Sequence, residues 1–325
     1  MTTNFIQLAK QNKRRIVLPE SNDNRILEAA VYADQNNIAD LILLGNPETI
    51  KLQLAKRQLP LGNIQLINPE NNIHSDDFAE MLYQLLSRSD LRKEQANELS
   101  KQPLFFANLM VQAGLADACV AGAQNSTGDV IRAALQVIGT KTPETRLSSF
   151  FIMLNESLPT PVLFADCAIN ISPNAKQLAD IAIQSAQNAK ALLGLEPKVA
   201  LLSFSTNGSA THRDVNKVTN ATQLLKEQHP ELEVIGEIQF DAAVSKDILQ
   251  KKWPESNFEP PANVFIFPTL DAANIAYKIA EQMGQATAIG PILQGLAKPV
   301  NDLSRGASVE SIINTIAVTC LQVET

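Results

Sequence analysis

Short apolar runs recur along the chain, separated by stretches in which apolar residues return every three or four positions. Arg15-Ile16-Val17-Leu18-Pro19 has the first pattern, and Ile26, Ala29, Ala30 and Ala33 have the second, after cap residues at Ser21 to Asn24. Asp40 to Leu44 repeats the strand pattern, and Asn46-Pro47-Glu48 then supplies a cap, a first-turn proline and a first-turn acid. Further strands are expected at Ile64 to Ile67, Asp117 to Ala121, Leu147 to Leu154, Val162 to Asp166, Val199 to Ser203, Glu233 to Ile238 and Val264 to Phe267. Helical stretches such as Gln177 to Leu192 and Ala272 to Met283 separate most of them. Continuous apolar strands alternating with helices predict an α/β protein whose mainly parallel sheets are covered on both faces. Only Leu147–Leu154 and Val162–Asp166 lack a helix between them, so Asn155 to Thr160 reads as a hairpin turn. The polar stretch Gly139 to Glu144, with Pro143, is the best place for a domain boundary, and Trp253 to Pro261 reads as an irregular loop.

Three segments share one design, a strand end followed by a hydroxyl-rich turn and a helix start. They are Val120 to Asp129, Leu202 to Thr211 and Val300 to Ser308. Free backbone N–H groups and the positive end of a helix dipole suit each to an anion, and Ser or Thr hydroxyls add neutral donors. Capping accounts for Ser126, Thr127, Ser209 and Ser308 one at a time. Three such turns at the strand ends, where α/β proteins bind ligands, favour a phosphate-bearing ligand. Arg132, three residues beyond Asp129, fits an ion pair along one helix face. Arg305 sits within its turn, where a guanidinium suits bidentate phosphate recognition and Gly306 would admit a close backbone approach.

The remaining features narrow the classes. The chain has 325 residues, enough for two domains, and 45% of them are apolar. A net charge of −7 argues against nucleic acid as partner. No apolar run approaches a bilayer span, and no apolar segment precedes Lys13-Arg14-Arg15, so neither a membrane protein nor a signal peptide is expected. Cys119, Cys167 and Cys320 are odd in number and far apart, which points to a reducing, cytoplasmic setting and no zinc site. No Gly-x-Gly-x-x-Gly and no P-loop occurs. His74 and His212 fall at helix starts and His229 precedes Pro230, so all three read as solvated polar residues.

Ala288 to Leu296, followed by Lys298-Pro299-Val300-Asn301-Asp302-Leu303-Ser304-Arg305-Gly306, closely resembles the C-terminal signature of phosphate acetyltransferases (phosphotransacetylases). The likeness extends to Arg15–Glu20, Val120–Ala123 with Asn125–Thr127, Arg132–Gln136, Phe164–Asn170, Leu202–Thr206, Gly236–Ala242 and Val264–Pro268, in family order over essentially the whole chain. The resemblance implies two three-layer αβα domains like those of isocitrate and isopropylmalate dehydrogenases, with the active site in the cleft between them. Residues 1–141 plus 298–325 would form domain 1 and residues 142–297 domain 2. It also implies a homodimer that moves an acetyl group reversibly between coenzyme A and inorganic phosphate, by way of acetyl phosphate, without a cofactor or metal. By similarity, Arg305 and Arg132 bind the phosphoryl group and Ser304 stabilises the oxyanion. Arg88, or else Arg92, is the third substrate arginine. Asn125, Ser126, Thr127, Ser205, Thr206 and Ser209 contact substrate, and Cys167 reads as a buried strand residue.

One position departs from the family. Many members carry an Asp seven residues after the signature serine, as the base for the coenzyme A thiol, and here that position is Ser311. Glu310 and Asp302 are the neighbouring acids. Two other classes therefore stay open, a non-catalytic acyl-phosphate or coenzyme A binding homologue and a transferase of another short acyl chain such as butyryl. A metal-dependent hydroxyacid dehydrogenase on the same fold lacks its Asp-x-x-x-Asp cluster.

Overall fold

A computed structural model describes residues 5–87, 92–156 and 158–323. The chain divides into two compact units, one built from Asn4–Pro143 with Leu296–Thr325, the other from Glu144–Gly295.

The first unit runs α1 (Phe5–Gln11), β1 (Arg15–Leu18), α2 (Asn24–Gln35), β2 (Asp40–Leu44), α3 (Pro47–Lys56), β3 (Gln65–Ile67), α4 (Ser75–Leu85), α5 (Lys93–Ser100), α6 (Pro103–Gln112), β4 (Ala118–Ala121) and α7 (Thr127–Val137). The second contains β5 (Ser148–Leu154), β6 (Val162–Ala165), α8 (Ala175–Leu193), β7 (Lys198–Leu202), α9 (Arg213–Gln228), β8 (Glu233–Ile238), α10 (Phe240–Val244), α11 (Lys246–Lys252), β9 (Val264–Ile266), α12 (Leu270–Gln282) and β10 (Thr287–Gln294). The chain then returns to the first unit as β11 (Val300–Asp302) and α13 (Val309–Gln322).

In the first unit the strand order is β11-β4-β1-β2-β3, with every neighbouring pair parallel. One group of helices, α1, α2 and α13, packs together and onto the sheet, and a second group, α4 to α7, does the same. Strands covered twice must be apolar throughout, and Ile16 to Leu18 and Ala118 to Ala121 are all buried. Local chemistry starts the helices where the pattern predicts. Asn46 caps α3 by accepting from Glu48 and Thr49 N–H with Pro47 in the first turn, and Pro103 opens α6.

The second sheet has the order β10-β5-β6-β9-β7-β8. Its β6, β9, β7 and β8 are parallel, whereas β5 pairs antiparallel with both β6 and β10. The expected hairpin joins β5 to β6. Helix α8 begins in a capping box of Asn174 and Gln177 and ends on Gly194 at φ +63°, a left-handed position that suits glycine. Strand β10 escapes the apolar-run pattern because Gly290-Pro291 interrupts it, and its register shifts between Ile289 and Ile292. Among the described residues, no helix is long and apolar enough to cross a membrane.

Candidate active site

Because β11, β4 and β1 lie side by side and parallel, their C-terminal ends open on one edge of the first sheet. Glu20 follows β1, Gly122 to Asn125 follow β4, and Leu303 to Ser308 follow β11. The turn after β4 is not the empty anion cradle that its sequence suggests. Glu20 is 4% exposed, and its Oε2 accepts from the N–H groups of Gly122 and Ala123 at 2.9 and 2.8 Å. Its Oε1 accepts from Gln124 N–H, Asn125 N–H and Asn125 Nδ2 at 3.0, 2.8 and 2.8 Å. The chain supplies its own anion here, and the Asn125 amide points inward to it. A buried carboxylate requires such donors, and five of them compensate its desolvation.

The turn after β11 is arranged the other way. Arg25 Nη1 donates to the carbonyls of Arg305 and Ala307, both at 2.8 Å, and Nη2 donates to the Ala123 carbonyl at 3.1 Å. Asp23 pairs with the same guanidinium at 2.7 Å and fixes it. The turn is thus gripped by its carbonyl side and tied to the β4 turn. Ser304, Arg305, Gly306 and Ser308 are exposed. Arg305 has no side-chain partner among the described residues, unlike Arg25 and Arg132. A Cβ at Gly306 would meet only Ser304 Oγ, at 3.8 Å, so that glycine borders open space and no crowding demands it. Ser308 caps α13 by accepting from Ser311 N–H at 3.1 Å, and the other first-turn N–H groups lack intrahelical acceptors. An exposed cation beside an uncommitted helix start is what an anion needs.

Between the two turns lies Asp302, fully buried at the end of β11. Thr127 donates its hydroxyl to Asp302 Oδ2 at 2.6 Å, and Oδ1 has no hydrogen-bond partner among the described residues. Burial pushes this carboxyl up to about 7; the Thr127 hydrogen bond opposes that, nearby Glu20 adds to it, and Leu303 N–H and Arg305 also pull it down. Gly122, at φ +112°, runs so close to Asp302 and Leu303 that any side chain there would collide with both. Ser126 caps α7, and its hydroxyl donates to Asp129 at 2.6 Å. Arg132 pairs with Asp129 at 2.6 Å, the ion pair expected from its spacing, but both side chains are exposed and the pair is weak.

In the second unit the same internal filling recurs. Glu237, 4% exposed, accepts from the Ser205 and Thr219 hydroxyls at 2.9 and 2.8 Å and from Gly208 N–H at 2.7 Å. Burial opposes its ionisation, yet the Gly208, Thr219 and Ser205 hydrogen bonds together hold it below the usual range. Thr206 bonds through its hydroxyl with Gln239, accepting the Gln239 N–H at 3.0 Å. Ser205 and Thr206 are therefore buried and committed, and exposed Ser209 also belongs to the turn, its hydroxyl accepting the Thr206 N–H at 3.1 Å and lying 3.2 Å from the Ser205 hydroxyl. Asp166 likewise gathers Ala168, Ile169 and Asn170 N–H groups after β6.

Of the remaining candidates, Ser311 occupies the third position of α13, half-buried, and Glu310 is exposed beside it. Arg92 is exposed at the start of α5, and Arg88 lies outside the described residues. Cys167 is fully buried, with its thiol on the Phe164 carbonyl at 3.3 Å. The pattern reading missed Glu20, Arg25, Asp166 and Glu237 as site builders. An acid at the very end of an apolar strand was the available signal.

The family model described as "Phosphate acetyl/butaryl transferase" matches residues 1–320. The phosphate acetyltransferase of Thermoanaerobacterium thermosaccharolyticum is 44% identical, over 98% of each chain. A phosphotransacetylase structure from Streptococcus pyogenes superposes with a TM-score of 0.93 at 38% identity, over 99% of each chain. The EutD phosphotransacetylase from Staphylococcus aureus gives 0.90 at 40% identity, over 99% of this chain and 98% of that one. Motifs, fold and end-to-end similarity agree, and the chain belongs to the phosphate acetyl/butaryl transferase family.

Proposed function

We propose that the chain is a phosphate acetyltransferase, exchanging an acetyl group between coenzyme A and inorganic phosphate through acetyl phosphate. The observation that carries this reading is the Arg305 guanidinium, without a side-chain partner among the described residues, at the exposed turn before α13, in a chain related to phosphate acetyltransferases along its whole length. Acetyl phosphate is already activated, so the protein has chiefly to hold two anions together and meet the charge that develops. Arg305 and Arg132, swung from Asp129, bind the phosphoryl group. Ser304 donates to the oxyanion that forms when the thiolate adds to the carbonyl. The uncommitted N–H groups of α13 take further negative charge. Ser126 and Thr127 border this site, and Asn125 holds its shape through Glu20. In the second unit, Ser205 and Thr206 shape their own turn from within. Arginines and helix termini supply the positive charge in this scheme, which needs neither metal nor nicotinamide.

A cytoplasmic homodimer completes the proposal. Three free, buried cysteines are in keeping with a reducing compartment. Ile275, Ile279 and Met283 stand exposed at helical spacing along α12 and its end, an apolar stripe suited to a second copy of the chain. A coupled assay for acetyl-CoA from acetyl phosphate and coenzyme A tests the activity, with butyryl phosphate as the competing acyl donor. Arsenate provides the second arm, because an active enzyme drains acetyl-CoA through unstable acetyl arsenate. Coenzyme A binding without turnover in either arm would make the chain a binding protein.

A further inference from the structure

We propose that Thr127 and Asp302 form the proton relay for the coenzyme A thiol, with Thr127 touching the sulfur and Asp302 receiving the proton behind it. This rests on the phosphate acetyltransferase reading and answers the question that Ser311 raises, since a serine hydroxyl is no base near neutral pH.

The geometry has a reactive side and a storage side. Thr127 is half-buried at the first position of α7, on the strand-end edge that also carries Ser304 and Arg305. Its hydroxyl hydrogen is committed to Asp302 Oδ2 at 2.6 Å, so its oxygen lone pairs are the ones that remain to accept. Asp302 is fully buried, and Oδ1 lacks a hydrogen-bond partner among the described residues. Leaving a carboxylate oxygen buried and unmatched costs stability, and an Asn or an apolar residue would serve packing better. Glu20 and Glu237 have their oxygens matched by several donors, whereas Asp302 is a buried acid that keeps one oxygen unmatched among the described residues and is linked to a half-buried hydroxyl.

The charged groups around Asp302 set when it moves. Glu20, from the segment after β1, disfavours the carboxylate, whereas Arg305 and the Leu303 N–H favour it. Neighbouring β4 carries Cys119, whose thiol burial keeps protonated. Burial above all, offset in part by the Thr127 hydrogen bond, the Leu303 N–H and Arg305, poises Asp302 near neutrality, where a general base works best. In the step itself, sulfur gives its proton to Thr127 Oγ1 as the Thr127 proton passes to Asp302 Oδ2. Sulfur then bonds to the acetyl carbon, and the bond from that carbon to the bridging oxygen breaks with its electron pair leaving on phosphate. In the reverse direction Asp302 returns the proton to the departing thiolate.

The test follows acetyl-CoA formation by the full chain from pH 6 to pH 9.5. Asp302→Asn and Thr127→Val should each lower kcat about 10²- to 10⁴-fold at low pH. The loss should shrink above the thiol pKa of about 8.5, where the nucleophile ionises unaided. KM for acetyl phosphate should hold, Thr127→Ser should restore most of the rate, and the double variant should be no slower than either single one. Thr127→Val carries the test alone if Asp302→Asn folds poorly. Wild-type profiles in both variants would overturn the relay and leave the enzyme reading intact. So would an equal loss at every pH with a raised KM for acetyl phosphate, which is the mark of a purely structural pair. A wild-type chain without turnover would overturn both.

Discussion

The turns after β4 and β11 lie on the same sheet edge and both bring glycine and hydroxyl residues to a helix start, yet they are built in opposite senses. In the first, a carboxylate from the chain consumes the N–H groups of Gly122 to Asn125. In the second, a guanidinium consumes the carbonyls of Arg305 and Ala307, and the Arg305 side chain is left without a partner among the described residues. A hydroxyl- and glycine-rich turn is therefore not itself a ligand site. What matters is whether the chain has already filled it. The filled turn gives rigidity, and the open turn has charge to spend on a ligand.

Removing the filler should break this contrast most severely. Glu20→Ala strands the buried N–H groups of Gly122 and Ala123, each worth about 1–3 kcal/mol when unsatisfied, and opens those of Gln124 and Asn125 to water, so a loss of about 2–6 kcal/mol is expected. A urea midpoint close to wild type would show that the turn does not depend on Glu20.

Asp302→Asn sharpens the contrast through pH. The native carboxyl titrates at about 7, above its ordinary range, so the folded state keeps a proton that the unfolded chain has released. That contribution is complete below about pH 4 and is lost as pH rises through about 7. The shift corresponds to on the order of 4 kcal/mol. An Asn imitates the protonated acid, so the variant should gain stability over wild type at pH 8 and match it at pH 4. Denaturant curves at the two pH values check this, and a gap independent of pH would contradict it.

Much of this arrangement was legible beforehand. Apolar runs place β1, β2 and β4 because strands covered on both faces have no room for polar residues. The caps at Asn46 and Ser308 sit where the sequence places them, because capping is local. The parallel order that brings Glu20, Asn125 and Ser304 together is not local, and no periodicity encodes it. Glu20 bonds to residues more than a hundred positions away, and Arg25 to a turn about 280 positions away. The acids at the strand ends were visible, but their donors were backbone groups, which carry no residue signature. Strand β10 was hidden for a different reason, the glycine and proline at its centre.

The open turn should respond in activity more than in stability. Arg305→Ala should cut kcat/KM for acetyl phosphate about 10- to 150-fold, the loss of one charge-assisted contact of about 1.5–3 kcal/mol. Its thermal midpoint should stay near wild type, because the exposed guanidinium has no partner in the fold among the described residues. Equal kinetics would remove Arg305 from the site. A large loss of stability would place it among the internal fillers, with Glu20 and Arg25.

The smallest expected effect belongs to Ser311. Its N–H is held by Ser308 at the third position of α13, so an acid there faces the helix's positive end without disturbing the cap. Ser311→Asp should add about 0.3–1 kcal/mol of stability at neutral pH. The gain should vanish as the new carboxyl is protonated below about pH 4. If Thr127 and Asp302 already take the thiol proton, this carboxylate is a second base at a step that has one, and kcat should change less than about threefold at any pH, far under the 10²- to 10⁴-fold of a needed base. If the thiol is instead deprotonated by solvent alone, Ser311→Asp should raise kcat steeply at pH 6 and hardly at pH 9.5. The pH–rate profile of this one variant therefore tells whether the position emptied by Ser311 is still needed, or whether the buried acid behind Thr127 has made it dispensable.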